Sequence, residues 1–183
     1  MLENGAADGP GDWVLLVYRV PREPSTPRIA VWRRLRQLGV AQLGDGVAAL
    51  PADARTREQL EWVADMVVQA AGTAGVWLSR PASLAQEREL AVGMTSARAE
   101  EYRELIALAE GLSGEPEPVR RRGLQRLRTQ WRGIDRRDFF PPPEREQSRR
   151  ALNDLAASIT DPDPSTVQPS SADPAVVSGE GQR

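Results

Sequence analysis

The feature that most constrains the fold is a nearly continuous run of apolar and aromatic side chains near the start of the chain, residues 13–20. It is bounded by Asp12 and Pro21. A short run of this kind suits a strand that is buried on both faces of a sheet. It is far shorter than the roughly 20 residues that span a bilayer. We therefore predict a buried first strand.

Prolines at positions 21, 24 and 27 follow this strand. Because proline lacks an N–H and fixes φ, they prevent regular hydrogen bonding and give a stiff, extended connection. We predict that the next helix begins only after Thr26 or Pro27 and ends at Gly39. Its arginines lie opposite one apolar arc at 100° per residue. That arc consists of Val31, Trp32, Leu35 and Leu38.

The next segment predicts a hairpin, a second helix and a last strand. Two apolar runs, residues 40–43 and 46–50, flank a Gly-Asp-Gly turn, which is a strong hairpin signal. A capping box that starts at Thr56 opens a helix that ends near Gly72. Residues 75–80 form a strand that Pro81 closes.

The order of these elements is β-α-β-β-α-β over residues 13–81. This order predicts an α+β fold of the ferredoxin-like type, an antiparallel sheet with both helices on one face. The other face of the sheet then needs a cover or a partner.

Residues 82–159 carry only helical patterns. We predict a candidate cap at Ser83, a helix that begins after Gly93 and ends near Gly111, and two further helices separated by prolines. Together they form a helical hairpin or small bundle that extends the same unit. The apolar positions are Tyr102, Leu105, Ile106, Ala109, Leu124, Leu127, Trp131, Ile134, Leu152, Leu155 and Ile159.

The two ends of the chain have a different composition. Residues 1–12 are small, polar and glycine-rich, and residues 160–183 combine four prolines with Ser, Asp and Gly. Such segments do not bury enough apolar surface to offset the entropy of ordering. We predict disorder in both.

The sequence contains neither cysteine nor histidine. Disulfides, thiol catalysis, the usual zinc sites and Ser-His-Asp triads are therefore excluded. The carboxylates show no motif spacing, so we expect no enzyme activity, no metal and no cofactor. A remote alternative is a metal-dependent nuclease in which Asp12 and Asp45 meet near strand ends. We expect a soluble cytoplasmic protein without membrane contact.

All 24 basic residues are arginine, which codon bias in a GC-rich genome would also explain. Eight of them lie in residues 119–137 against one acid, Asp135. This segment is a candidate phosphate-binding surface, because each neutralised phosphate releases counterions. The alternative is an ordinary solvated helix that pairs with Glu100, Glu101, Glu104 and Glu110. The candidate anion-binding residues here are Arg120, Arg121, Arg122, Arg126 and Arg128.

A second arginine cluster surrounds the proline connection. A stiff loop that presents guanidinium groups is a preorganised site for a phosphate backbone or a small oxyanion such as chromate. The alternative is a surface loop whose arginines stack on Trp13 or Trp32 or pair with Glu23. The candidates in this cluster are Arg19, Arg22, Arg28, Arg33, Arg34 and Arg36.

Four tryptophans lie on predicted elements beside apolar neighbours: Trp13, Trp32, Trp62 and Trp77. Base stacking would require their rings to be exposed. We expect them in the core instead.

Three segments resemble the ChrB chromate-resistance proteins: WVLLVYRVPREPSTPRIAVWRRLRQLGVAQLGDGVAALP at residues 13–51, ARTREQLEWVADMV at 54–67 and IDRRDFFPP at 134–142. The block from residue 15 to 35 is the most specific. The chain departs from similar sequences at Ala48 and Ala49, where an aromatic residue is usual. The family-like positions are Arg19, Pro21, Arg22, Glu23, Pro24, Pro27, Arg28, Trp32, Arg33, Gly46, Pro51 and Arg57.

The resemblance implies a transcriptional regulator, typically a repressor beside a chromate-transport gene, that releases DNA when chromate is present. We expect this chain to correspond to the N-terminal domain, without the second domain of full-length regulators. Its partners would be DNA, chromate as a candidate effector, and either a second copy or a separate C-terminal domain. The alternative is a protein-interaction module without DNA affinity.

Overall fold

A computed structural model describes residues 10–160, so most of the predicted disorder, at residues 1–9 and 161–183, lies outside the described residues. None of the helices in the described part combines the length and the apolarity that a bilayer crossing requires. The strands are β1 (Trp13–Arg19), β2 (Ala41–Gly44), β3 (Val47–Pro51) and β4 (Thr73–Ser79). The helices are α1 (Ser25–Leu38), α2 (Ala54–Gln69), α3 (Leu84–Gly111), α4 (Glu117–Asp135) and α5 (Pro143–Thr160).

The four strands form one sheet in the order β2-β3-β1-β4, and every neighbouring pair is antiparallel. This confirms the predicted ferredoxin-like topology. β1 lies in the interior of the sheet, and its Val14 and Leu16 are completely buried. α2 packs on β1 and β4 and against α1.

The second half of the chain covers part of the other face of the sheet. Side chains alternate along a strand, so Trp13 points away from the face that carries Val14. The Trp13 ring stacks on Phe140, with 6.1 Å between centroids. Leu90 and Met94 of α3 join the same core cluster. The cover that the sequence predicted is therefore present at the Trp13 end of the sheet.

α3, α4 and α5 pack on one another as a three-helix bundle, the larger of the two arrangements that we predicted. Their apolar seam is spaced three and four residues apart, which places it on one side of each helix. The core of the bundle consists of Tyr102, Leu105, Ala109, Leu124, Leu127, Ile134, Leu152 and Leu155.

Two helix starts differ from the prediction. α1 begins at Ser25, before Pro27, because N–H groups in the first turn have no partner within the helix and proline is tolerated there. In α2 the cap is Asp53, whose Oδ1 accepts from the Thr56 backbone N–H at 2.6 Å. The Thr56 hydroxyl accepts from the Asp53 N–H at 2.9 Å, which completes a reciprocal capping box.

α3 is one continuous helix of 28 residues, whereas we predicted a helix that starts only after Gly93. Gly93 is exposed in its middle, and no neighbouring atom lies where a Cβ would be. Glycine costs about 1 kcal/mol relative to alanine within a helix. The buried neighbour Met94 offsets this cost.

The prediction of four core tryptophans is wrong for three of them. Trp13 is buried, but Trp32, Trp62 and Trp77 are 53%, 55% and 63% exposed. Consecutive residues of a helix are 100° apart, so the Trp32 ring points away from the core face of α1 that carries the buried Val31. Trp77 lies on β4, which is an edge strand.

We expect two glycine substitutions to act in opposite directions. Gly93→Ala should raise the free energy of unfolding by about 0.5–1 kcal/mol, because it adds helix propensity without a clash. Gly46→Ala should lower it by about 1–2 kcal/mol, because Gly46 has φ 76° and a Cβ there would collide with the Tyr18 carbonyl oxygen. Urea denaturation measures both values. Destabilisation by Gly93→Ala would contradict the continuous helix.

Candidate functional site

The proline connection forms one wall of an open cleft of about 1060 Å³. β1 and its exit supply Arg19 and Arg22, and α1 supplies Arg28 and Arg36. The predicted cluster is thus brought together in part. Arg33 and Arg34 lie on α1 outside the cleft lining.

No carboxylate within residues 10–160 forms an ion pair with any of the four cleft arginines. The guanidinium of Arg36 instead lies over the ring of Trp32, 4.9 Å from its centroid. Stacking on Trp32 therefore occurs for one arginine, whereas the suggested pairing with Glu23 does not. The exposed indole of Trp32 also lines the cleft.

α3 forms the opposite wall with Glu100, Glu101 and Glu104, and the β2–β3 turn adds Asp45. Two of these four acids are already neutralised, since Glu100 pairs with an arginine of its own helix and Glu101 accepts from two arginines. Among the described residues, two unpaired acids thus face four unpaired arginines. The cleft has a surplus of positive charge.

Arg98 of α3 also lines the cleft, and the sequence interpretation missed it. Its side chain is only 9% exposed and pairs with Glu101 at 3.2 Å. Its Nε and Nη1 are buried and have no hydrogen-bond partner. Burial lowers the pKa of Arg98. A signal was available, since Arg98 occupies the buried helical stripe between Met94 and Tyr102.

Arg98 belongs to a polar network between α3 and the residues that follow α4. Arg137 donates to Glu101 at 2.6 Å. The hydroxyl of the fully buried Tyr102 donates to Asp138 Oδ2 at 3.0 Å. Burial, followed by the nearby Asp138, raises the pKa of Tyr102, and burial raises the pKa of Asp138. This network ties the end of α4 to α3.

Residues 135–140, which we name the junction segment, hold the two halves together. Arg55 of α2 donates to the Arg136 carbonyl at 3.4 Å, and its guanidinium lies 5.7 Å from the centroid of Phe139. The Thr95 hydroxyl donates to the Phe140 carbonyl at 3.1 Å. The family-like block IDRRDFFPP therefore has a structural role in positioning the cleft.

Of the eight arginines in residues 119–137, Arg137 pairs with Glu101 of α3 as the alternative interpretation proposed, whereas no arginine within α4 forms an ion pair with an acid of α3 in residues 10–160. Arg121 pairs with Glu117 of its own helix at 2.5 Å, and Arg120 is half-buried. The three other candidates are exposed and form no ion pair within residues 10–160. These three are Arg122, Arg126 and Arg128.

The two carboxylates of the nuclease alternative do not meet. Trp13 pairs with Pro51 and Val17 with Val47, so Asp12 and Asp45 flank opposite ends of β1. Strands rise about 3.3 Å per residue, which separates these ends by roughly 20 Å. Asp12 instead pairs with Arg80 at 2.7 Å. Residues 10–160 contain no group of three potential metal ligands.

The raised pKa of Asp138 predicts a specific pH dependence. An acid whose pKa is raised by folding stabilises the protein most below its unfolded pKa, and this contribution is lost as pH rises through the folded pKa. Wild type should therefore lose stability relative to Asp138→Asn as pH increases from about 3 to 7. Urea denaturation across this range measures the difference. Asp154→Asn, at an exposed position on α5, is the matched control. A difference that grows with pH in favour of wild type would contradict the burial of Asp138.

Residues 28–117 match the family model described as "Protein ChrB, N-terminal". The chain is 28% identical over 151 residues to Protein ChrB of Cupriavidus metallidurans. The aligned region covers 80% of this chain and 46% of that protein. It thus spans about half the length of this relative. An uncharacterized protein from Mycobacterium tuberculosis has a similar fold, with a TM-score of 0.50 at 16% identity over 82% of this chain and 61% of the other. The chain is thus similar to the ChrB family over the N-terminal domain of that family.

Proposed function

We propose that this chain is the DNA-binding regulatory module of a chromate-resistance response. Similarity to the ChrB family supports the biological context. The observation that carries the proposal is the exposed surface of α4, where Arg122, Arg126 and Arg128 have no carboxylate partner in residues 10–160.

The fold of the bundle explains why these arginines face outward. Leu124 and Leu127 are buried, so the opposite face of α4, with Arg122 and Arg126, is left to solvent, and Arg128 lines an open groove between α4 and α5. Arg122 and Arg126 are one turn apart and lie about 5–6 Å from each other at their Cβ atoms. The planar guanidinium group binds two phosphate oxygens at once. Because these arginines are unpaired, a phosphate backbone displaces no carboxylate when it binds.

The salt dependence of DNA binding tests this proposal. With duplex DNA from upstream of the gene for this chain, log K should fall with log salt concentration by about 0.9 per phosphate contacted. The triple variant Arg122→Gln, Arg126→Gln, Arg128→Gln should reduce the slope by about 2–3. Fluorescence anisotropy at several salt concentrations gives both slopes.

A matched control is the triple variant Arg57→Gln, Arg149→Gln, Arg150→Gln. These arginines are exposed and already paired with Glu61 or Glu146. The two variants have the same net charge, so the control should bind nearly as well as wild type. Equal losses in both would indicate a charge effect without a site. No binding at low salt would favour the interaction module instead.

We further propose that the cleft is the site for the oxyanion effector. Arg19, Arg22 and Arg28 present unpaired guanidinium groups around a loop stiffened by proline. An anion that reaches the buried Arg98 would add hydrogen bonds to its free donors and compete with Glu101. Glu101 also holds Arg137, at the end of α4. Occupation of the cleft would thereby alter the position of the DNA-binding helix.

Chromate should weaken DNA binding of the wild type by about five- to 150-fold, the usual range of coupling between two sites. The double variant Arg22→Gln, Arg28→Gln should bind DNA with the same Kd in the presence and in the absence of chromate. The control is Arg33→Gln, Arg34→Gln on the same helix outside the cleft, which should still respond. The readout is the ratio of Kd with and without chromate for each protein. If this ratio were as large in the cleft variant as in the wild type, the cleft would be excluded as the effector site.

A further inference from the structure

Within the part of the chain that the structure describes, β4 is an unprotected edge of the sheet. It has seven residues and pairs only with β1 there, whereas the other edge strand, β2, has four residues and a register irregularity. Proteins usually protect a long edge with charges, prolines or bulges, because its free N–H and C=O groups otherwise pair with another chain. Thr73–Ser79 contains no charged residue and no proline.

This edge is apolar on both faces of the sheet. Trp77 and Leu78 are consecutive, so they point to opposite faces, and they are 63% and 66% exposed. Val17, which is opposite Gly75 in the register of β1 and β4, adds a third exposed apolar side chain. Val76 and Trp77 also line a groove of about 290 Å³ beside α2.

We propose that two copies of this chain pair through β4, antiparallel about a two-fold axis at Val76, and form one continuous eight-stranded sheet. A two-fold axis makes each contact occur twice, so the strand must complement itself. In this register, Trp77 faces Gly75 of the second copy and Leu78 faces Ala74. Each large side chain thus lies opposite a small one. On the axis, Val76 of one copy faces Val76 of the other.

The packing of Trp77 supports this register. Its Nε1 lies 3.0 Å from the place that a Cβ on Gly75 would occupy, so the indole lies over the glycine of its own strand. In the dimer, the Trp77 ring of the second copy would lie over the Gly75 of that copy. The two indole rings would therefore lie side by side across the axis. Two rings that are largely exposed in one copy would then be covered in the pair.

The charges at the margins of β4 allow two identical surfaces to meet. Arg80 pairs with Asp12 at 2.7 Å, and Arg57 pairs with Glu61 at 2.8 Å. Both arginines line one groove at the Ser79 end of the strand together with Asp12. Because each is neutralised by an acid of its own copy, this end of the strand does not repel a second copy.

The available area sets the expected affinity. Trp77, Leu78 and Val17 offer roughly 300 Å² of apolar surface per copy, to which the strand backbone and the flank of α2 add. Stable interfaces usually bury about 800 Å² per partner. The dimer should therefore be weak and depend on protein concentration.

A single cysteine tests the register, because the natural chain has none. Directly opposite residues of antiparallel strands have Cα atoms about 4.5–5.5 Å apart, which suits a disulfide. Full-length Val76→Cys should form a covalent dimer under mild oxidation, visible on a non-reducing gel. Val92→Cys, at an exposed position on α3, should stay mainly monomeric. Equal cross-linking of both variants, or none in Val76→Cys, would overturn the proposal.

A matched pair of tryptophan variants tests the interface independently. Trp77→Glu places two like charges near the axis and should give a monomer at concentrations at which wild type is dimeric. Trp62→Glu makes the same substitution at a similarly exposed tryptophan that does not line the β4 groove, and it should leave the dimer intact. Light scattering after size exclusion measures the mass, and thermal unfolding checks that both variants are folded. A dimer that persists in Trp77→Glu would overturn the proposal.

Discussion

The stacking of Trp13 on Phe140 is the interaction on which the arrangement of the two halves depends. Trp13 is the first residue of β1, and Phe140 follows α4, so one contact joins the sheet to the end of the bundle. The indole N–H of Trp13 also reaches Glu87 of α3 at 3.3 Å. Because both rings are apolar and largely removed from water, their burial favours the docked arrangement. The cleft lies between elements that this contact holds in place.

Most of the fold could be predicted from local patterns in the sequence. Period-two and period-3.6 spacing located the strands and helices, and Asp45-Gly46 located the hairpin turn. The prediction was wrong where tertiary contacts override local preference. Gly93 was predicted to lie outside the helix, but packing on the sheet and bundle carries α3 through it. Likewise, Asp53 is the cap of α2 because Thr56 is buried and its hydroxyl also donates to the Pro51 carbonyl.

The candidate site was less predictable than the fold, because charge pairing depends on distances across the tertiary structure. The sequence placed arginines near the proline connection and on α4, but it did not distinguish free arginines from paired ones. Arg137 joins the network with Glu101, whereas Arg122 has no ion pair within residues 10–160. Arg98 was missed because it lies outside both arginine clusters, alone in the buried stripe between Met94 and Tyr102. Edge position, which exposes Trp77, is likewise set by strand order and not by local sequence.

The continuity of α3 determines how the two halves can move. Its 28 residues span about 42 Å, and one rod passes through both cores, with Met94 in the first and Tyr102 in the second. No flexible linker therefore separates sheet from bundle at this crossing, and a hinge motion would have to break a helix. The remaining freedom is a tilt of the whole rod over the sheet. Because a tilt moves the far end of a lever most, a displacement of a fraction of an ångström near Arg98 would grow toward the distal end of the bundle.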